Sequence, residues 1–332
     1  MKKYLSEILC ITNNDKPKRF IDWLIWHACI IKFNHIIVID NNSNYDIKRI
    51  CDKINSIYNV NIDCIRIDSQ ISQMEIYTEY CNKSEAYFFL PIDDDEFLYI
   101  SNKYHHDINE YIYIIHQKYP TFFKYAFNSY YAFSENIINK YIDTPFFNLY
   151  DKLYVSNETK SIVNTNLNHY YQPDTVNGES VRYIDSIFND VDYNINYNSS
   201  LTYRILQKNK NLRGDHLGSP HNPITKLYNV YQHSLEPQIN AIIPGIYNYF
   251  IDASMKVNTD AFIYHFKYRT IEEYEYKINR RKKFKDLSIP YEAIYYKPNM
   301  FSVEYMKSHI AQKIENGKLL FNTLKINYDL FK

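Results

Sequence analysis

Apolar and polar positions alternate in blocks through the first hundred residues. Ile8 to Thr12 is a short apolar run ending in Asn13 and Asn14, which predicts a strand running into a loop. From about Pro17 to Ile31 the core-type side chains fall at Phe20, Trp23, Leu24, His27, Ala28 and Ile31, the spacing of one helix face, and Pro17 suits a first helical turn. His35 to Asp40 is apolar and β-branched between its ends, as expected of a strand buried on both faces of a parallel sheet. A polar loop, Asn41 to Asn44, leads to a second helix marked by Ile47, Ile50, Cys51, Ile54 and Ile57. Val60 to Ile67 reads as a third strand, Ile71 to Tyr80 as a helix, and Ala86 to Ile92 as a fourth buried strand that runs into Asp93-Asp94-Asp95-Glu96.

Strands alternating with helices predict an α/β fold with a doubly wound, largely parallel sheet, in which ligands bind beyond the carboxyl ends of the strands. The polar groups Asn13-Asn14, Asp40 to Asn44 and Asp93 to Glu96 all fall at such ends. From about 100 to 250 the pattern is irregular, with strand-like runs at Phe122 to Phe127 and Leu201 to Leu206. Gly214 and Gly218 flank Asp215 and His216, and Pro220 and Pro223 follow, which marks a shaped loop. Ala261 to Phe266 reads as another strand. Thr270-Ile271-Glu272-Glu273 is a capping-box pattern opening a helix to about Lys285. Phe301 to Leu330 reads as mostly amphipathic helix, interrupted near Gly317.

Composition adds little chemistry. The 332 residues include 36 Tyr and only 5 Gly, and Ile, Asn and Lys are abundant, the signature of an AT-rich genome such as that of a bacterium or a large DNA virus. The charge balance of 38 basic and 38 acidic residues gives no electrostatic argument for nucleic acid as a partner. The five cysteines, Cys10, Cys29, Cys51, Cys64 and Cys81, form no C-x-x-C pair and read as free thiols of a reducing compartment. The N-terminus lacks a signal-peptide pattern. The stretch from Phe20 to Ile39 is broken by Asp22, His27, Lys32 and His35, so no transmembrane segment is expected. These features predict a cytoplasmic protein, in a host's cytoplasm if viral.

The acidic run is the main chemical signal. Four consecutive acids after a buried strand repel and raise one another's pKa unless something positive compensates them. A divalent cation does so, and carboxylate oxygens suit magnesium or manganese, with nucleotide phosphates filling the other positions. Asp93 and Asp95 are the expected ligands, since a bend after the strand aims alternate side chains at one point. The bland alternative is a solvated acidic turn. Phosphotransfer, nucleotidyl transfer or nuclease chemistry also uses such clusters, although no Gly-rich lysine loop supports an ATPase.

Phe20-Ile21-Asp22-Trp23-Leu24-Ile25-Trp26-His27, followed by His35 to Ser43, resembles the opening of glycosyltransferase family 92 and its family 2-like relatives, with Asp22 where a Glu is usual. Ile92-Asp93-Asp94-Asp95-Glu96-Phe97-Leu98 is similar to that family's Asp-x-Asp-Glu-Phe motif, and His265 to Thr270 with Glu272, Glu273, Tyr274 and Lys277 is similar to a late element. The resemblance implies a GT-A fold, Rossmann-like with a mostly parallel sheet flanked by helices, and a C-terminal helical extension. It divides the chain into a nucleotide-sugar-binding half (1–100), an acceptor-binding half of the same domain (101–269) and the extension (270–332). It implies inverting, Mn²⁺- or Mg²⁺-dependent transfer from a UDP- or GDP-sugar to a hydroxyl of a glycan, glycolipid or glycoprotein. Asn13, Asn14, Asp40, Asn42 and Ser43 would contact the nucleoside, Asp93, Asp94 and Asp95 the metal and diphosphate, and His265, at the end of a strand, would be either a third metal ligand or a structural residue. For the general base the candidates are Asp215, His216 and Glu96. His27 reads as a packed core histidine. The rival readings are a carboxylate-metal nucleotidyl- or phosphotransferase and a non-catalytic glycan-binding relative.

Overall fold

The continuous apolar runs become the centre of a sheet. The computed structural model describes residues 2–13, 17–68, 73–118, 124–133, 146–150, 152–166, 169–170, 224–225, 260–266 and 314–331. In chain order the first half is β1 (Tyr4–Thr12), α1 (Pro17–Ile25), β2 (His35–Asp40), α2 (Ile47–Tyr58), β3 (Ile62–Arg66), α3 (Gln73–Lys83), β4 (Ala86–Pro91), β5 (Glu96–Ile100) and α4 (Ile108–Lys118). It continues with β6 (Lys124–Phe133), β7 (Lys152–Asn164), β8 (His169–Tyr170), β9 (Ile224–Thr225) and β10 (Ala261–His265). Eight strands form one sheet in the order β3-β2-β1-β4-β7-β6-β10-β5, and β8 pairs with β9 separately. The pairs β1/β2, β1/β4, β2/β3 and β6/β10 are parallel, and β7 and β5 run against their neighbours. This is the expected α/β architecture, a mostly parallel sheet flanked by helices.

Successive residues of a strand face opposite sides, and that rule sorts the core. Ile8, Cys10, Ile36, Val38, Phe88 and Leu90 pack with Phe20, Trp23, Ile50 and Ile54 of α1 and α2 on one side. Leu9, Ile37, Ile39 and Phe89 pack with Ile76, Tyr77 and Cys81 of α3 on the other. A strand with helices on both faces has no polar side to show, which is why β2 is buried at all six positions.

Three expectations change. The helix from Pro17 to Ile31 is α-helical only to Ile25 and widens into a π-turn over Trp26–Ile30, where Ile31 N–H reaches back to Trp26 O at 3.0 Å. The His27 side chain takes the Trp23 carbonyl inside that turn, through Nδ1 at 2.9 Å. Gly317 does not interrupt its helix, which runs through it over residues 314–322 and then gives way to a turn and a short 3₁₀ segment, Tyr328–Phe331. A Cβ at Gly317 would stand 2.9 Å from Tyr264 Oη and 3.0 Å from Phe147, so the glycine permits close packing. Glu96, grouped by the sequence with the polar residues after β4, is the first residue of β5 and fully buried. The runs Leu201–Leu206 and Thr270–Lys285 lie outside the described residues.

Chain length forces the sheet to roll. Four strand spacings separate β4 from β5, about 19 Å. The chain from Pro91 to Glu96 spans at most about 17 Å when extended, and it is not extended, since Glu96 N–H bonds to Asp93 O at 3.1 Å. The far edge therefore curls back over the carboxyl end of β4, and the acidic tip lies where the roll closes.

Candidate functional site

The tip is pinned from behind by α1. Trp23 Nε1–H is shared between Asp93 O (3.1 Å) and Glu96 O (2.8 Å), and Arg19, one turn earlier on the same face, reaches Asp94 O at 3.4 Å. From the sheet side, Ile92 N–H bonds to Leu9 O and Phe266 N–H to Asp95 O, at 2.9 and 2.8 Å. The backbone of the four acids is thus held by β1, α1 and the segment after β10.

Their side chains diverge. Asp94 accepts from Thr12 Oγ1 at 2.9 Å, at the end of β1. Asp93 accepts from Gln73 Nε2 at 3.1 Å and faces Lys160 Nζ at 3.3 Å. Asp95 is buried, its Oδ1 3.7 Å from His265 Nε2. Glu96 Oε2 takes the Asp93 N–H at 3.1 Å and pairs with Lys160 Nζ at 3.0 Å, while Oε1 faces His265 Nδ1 at 3.5 Å. Burial pushes the Glu96 acid up to about 7, against the opposing pull of Lys160 and His265.

Lys160 is the residue the sequence reading missed. The β4/β7 register pairs Phe88 with Asn164 and Phe89 with Val163, and continuing it sets Lys160 beside the tip. A signal was there: Lys160 shares strand parity with the buried Ile162, and a lysine on the inward face of a strand needs a partner. The chain therefore supplies a counter-charge of its own to the run, beside the divalent cation that the sequence suggested.

A second polar patch continues from the first. Asn41 N–H bonds to Thr12 O at 2.8 Å and Asn13 Nδ2 donates to Asn41 O, linking the ends of β1 and β2. Asp40 is buried, accepting from Ser43 N–H at 2.8 Å and from Arg66 of β3 at 3.1 Å. Arg66 also donates to Asn42 Oδ1 at 3.0 Å, and its side chain is 47% exposed, so it faces outward from this rim. Asn42 holds a left-handed φ of 59°, a conformation asparagine tolerates better than most residues. Asn13, Asp40, Asn42, Ser43 and the four acids thus form one continuous ledge, and His265 joins it from β10. Asn14, Asp215 and His216 lie outside the described residues, as does the basic run Lys277 to Lys283.

No family model matches the chain, and no curated protein sequence matches it. Solved structures match in part. The S. aureus TarS fragment 1–349 in complex with UDP is 12% identical with a TM-score of 0.30, over 43% of this chain and 39% of that one. The same fragment in complex with UDP-GlcNAc is 13% identical with a TM-score of 0.29, over 44% and 38%. A Bacillus anthracis protein described as a glucose-1-phosphate thymidylyltransferase is 10% identical with a TM-score of 0.27, over 48% and 68%. The match spans less than half the length of these TarS structures. Similarity at this level carries no argument about activity.

Proposed function

We propose that this chain is a GT-A-type glycosyltransferase that moves a sugar, with inversion, from a nucleotide-sugar donor to a hydroxyl of a glycan, glycolipid or glycoprotein. The observation that carries the reading is the continuous ledge: the acidic tip after β4 is hydrogen-bonded to the end of β1 and through it to the end of β2. A doubly wound sheet binds its ligand along such an edge. A diphosphate and a nucleoside need the two kinds of group this edge offers, acids to hold a cation and a polar rim to hold ribose and base.

The residues fit a divalent cation as an incomplete set. Asp95 Oδ1 and His265 Nε2 stand 3.7 Å apart, while the Asp93 side chain, 34% exposed, is turned to Lys160 and not to that pair, against the expectation that the bend aims Asp93 and Asp95 at one point. Among the described residues no three such groups form a finished metal site. Magnesium and manganese accept that arrangement when substrate phosphates and water supply the remaining oxygens. When bound, the cation neutralises charge on the departing diphosphate.

The chain's own residues have separate tasks in this reading. Asp93, Asp95 and His265 hold the cation. Thr12 fixes Asp94 toward the donor side. Asp40 and Ser43 shape the rim, from which Asn13, Asn42 and Arg66 meet the nucleoside. Glu96, enclosed between Lys160 and His265, orients them, and Asp215 or His216 serves as the general base.

The test is thermal denaturation with UDP- and GDP-sugars, with and without Mn²⁺, followed by product analysis. A donor is expected to raise the melting temperature only with Mn²⁺, and turnover to release the nucleoside diphosphate. Transfer of the nucleoside monophosphate instead, with the α–β phosphate bond broken and sugar 1-phosphate released, would make the chain a nucleotidyltransferase. Asp95→Asn is expected to remove the Mn²⁺-dependent shift and lower turnover about a hundredfold, with the apo melting temperature retained. Undiminished turnover in that variant refutes the assignment.

A further inference from the structure

Lys160 is unusual in its enclosure. Its side chain is 2% exposed, and its ammonium pairs with two acids of the same tip, Glu96 at 3.0 Å and Asp93 at 3.3 Å. The two partners differ. Glu96 is fully buried and holds its place through the Asp93 N–H, with Oε1 accepting no hydrogen bond among the described residues and turned toward His265. Asp93 is one-third exposed and has the longer of the two contacts. One ammonium thus has a fixed anchor and a looser second partner, and the looser partner is one of the proposed cation ligands.

We propose that Lys160 is a positioning residue that keeps the cation seat filled in the donor-free protein: its ammonium neutralises Asp93, so a divalent cation enters together with a nucleotide diphosphate and not alone. The inference rests on the reading of the tip as a cation seat. A hydrated divalent ion arriving alone has to shed water and displace a charge already paired, and it finds too few ligands to compensate. A diphosphate brings its own oxygens and negative charge. Asp93 then turns from Lys160 to the cation, and Glu96 retains the ammonium, so no charge is left buried without a partner.

The prediction has a sign that structural damage does not produce. Removing Lys160 is expected to tighten the binding of Mn²⁺ alone. Lys160→Met by itself leaves Glu96 as a buried unpaired acid, so the working variant is Lys160→Met/Glu96→Gln, in which both charges go and the side-chain volumes stay close. Free Mn²⁺ is read by electron paramagnetic resonance on the full chain, with the fold checked by circular dichroism. Wild type is expected to bind Mn²⁺ weakly alone and at least tenfold more tightly with UDP or GDP. The double variant is expected to bind Mn²⁺ alone at least tenfold more tightly than wild type does, and adding Asp93→Asn to it should cancel the gain. A double variant that binds Mn²⁺ no more tightly, or fails to fold while wild type shows strong Mn²⁺ binding without nucleotide, overturns the role of Lys160 and leaves the seat standing. A wild type that binds no Mn²⁺ even with UDP or GDP brings down the seat and this inference with it.

Discussion

His27 and His35 are both buried histidines, but their surroundings ask for opposite charge states. His27 Nε2 accepts the Leu98 N–H at 3.2 Å, so the proton sits on Nδ1, which donates to Trp23 O, and the ring is neutral. Burial drives its pKa down to about 3, partly offset by the Trp23 carbonyl. The unfolded chain takes up a proton near 6.5 and the folded chain does not, so this residue costs stability as pH falls from about 6.5 toward 3, by at most about 1.4 kcal/mol per unit. His27→Gln should flatten that part of the acid slope in urea titrations run at a series of pH values. His35 is held at both nitrogens by acids, Glu7 at 2.7 Å and Asp63 at 3.1 Å. Burial lowers its pKa, but the Glu7 hydrogen bond and charge, aided by Asp63, outweigh that and the net shift is upward. Its contribution is therefore complete below about 6.5 and fades as pH rises through the folded value. The stability gap between wild type and His35→Gln should be widest in mild acid and narrow toward alkaline pH, and a gap that widens there instead would contradict the charged pairing. Neither environment was legible locally, although the helical spacing did mark His27 as a packed histidine.

At the scale of elements, ends and close contacts matter more than propensity. Helix α2 starts where Asp46 accepts from Arg49 N–H at 2.9 Å and stops at Asn59, whose φ of 52° is left-handed. Asp46→Ala should cost about 1 kcal/mol in chemical denaturation. The helix over 314–322 presents Ile314 and Phe321 to the core, and Gly317 lets it approach Tyr264 and Phe147. Both neighbours are rings buried among other rings, with little room to yield. Gly317→Ala should therefore destabilise by about 1–3 kcal/mol through overpacking, seen as a lower melting temperature, even though alanine is the better helix former. Sequence pattern located this helix but misread its glycine, because a glycine that breaks a helix and one that admits a neighbour look the same until the neighbour is known.

Across the whole molecule, the carboxyl-terminal segment closes over the first helix. Tyr328 donates its hydroxyl to the buried Asp22 carboxylate, and Phe321 stacks on Trp26 at 6.2 Å. Trp26 in turn donates to Leu98 O of β5 at 2.7 Å, so the C-terminal residues, α1 and the strand after the acidic tip are coupled. Tyr328→Phe removes a donor from a buried acid and should cost about 1–3 kcal/mol, measured by urea unfolding, with loss of the α1 packing visible in Trp fluorescence. The same coupling ties the tip to the rest of the fold: the rolled sheet places β5 and β10 against it, two strands that lie far apart in the chain.

Periodicity alone determined β1 to β4, α1 to α3 and the row of polar groups at the strand ends, though not β5 or the π-turn after α1, because alternation and 3.6-residue spacing are local consequences of burying one face or two. It also set the acidic run at the end of β4. What neutralises that run was decided only by the tertiary structure. Lys160 comes from β7 and Arg19 from α1, and the sheet must fold before either stands near Glu96 or its neighbours. Charge compensation acts through space and leaves no period in the chain, so a sequence can announce four acids without revealing the cations built to meet them.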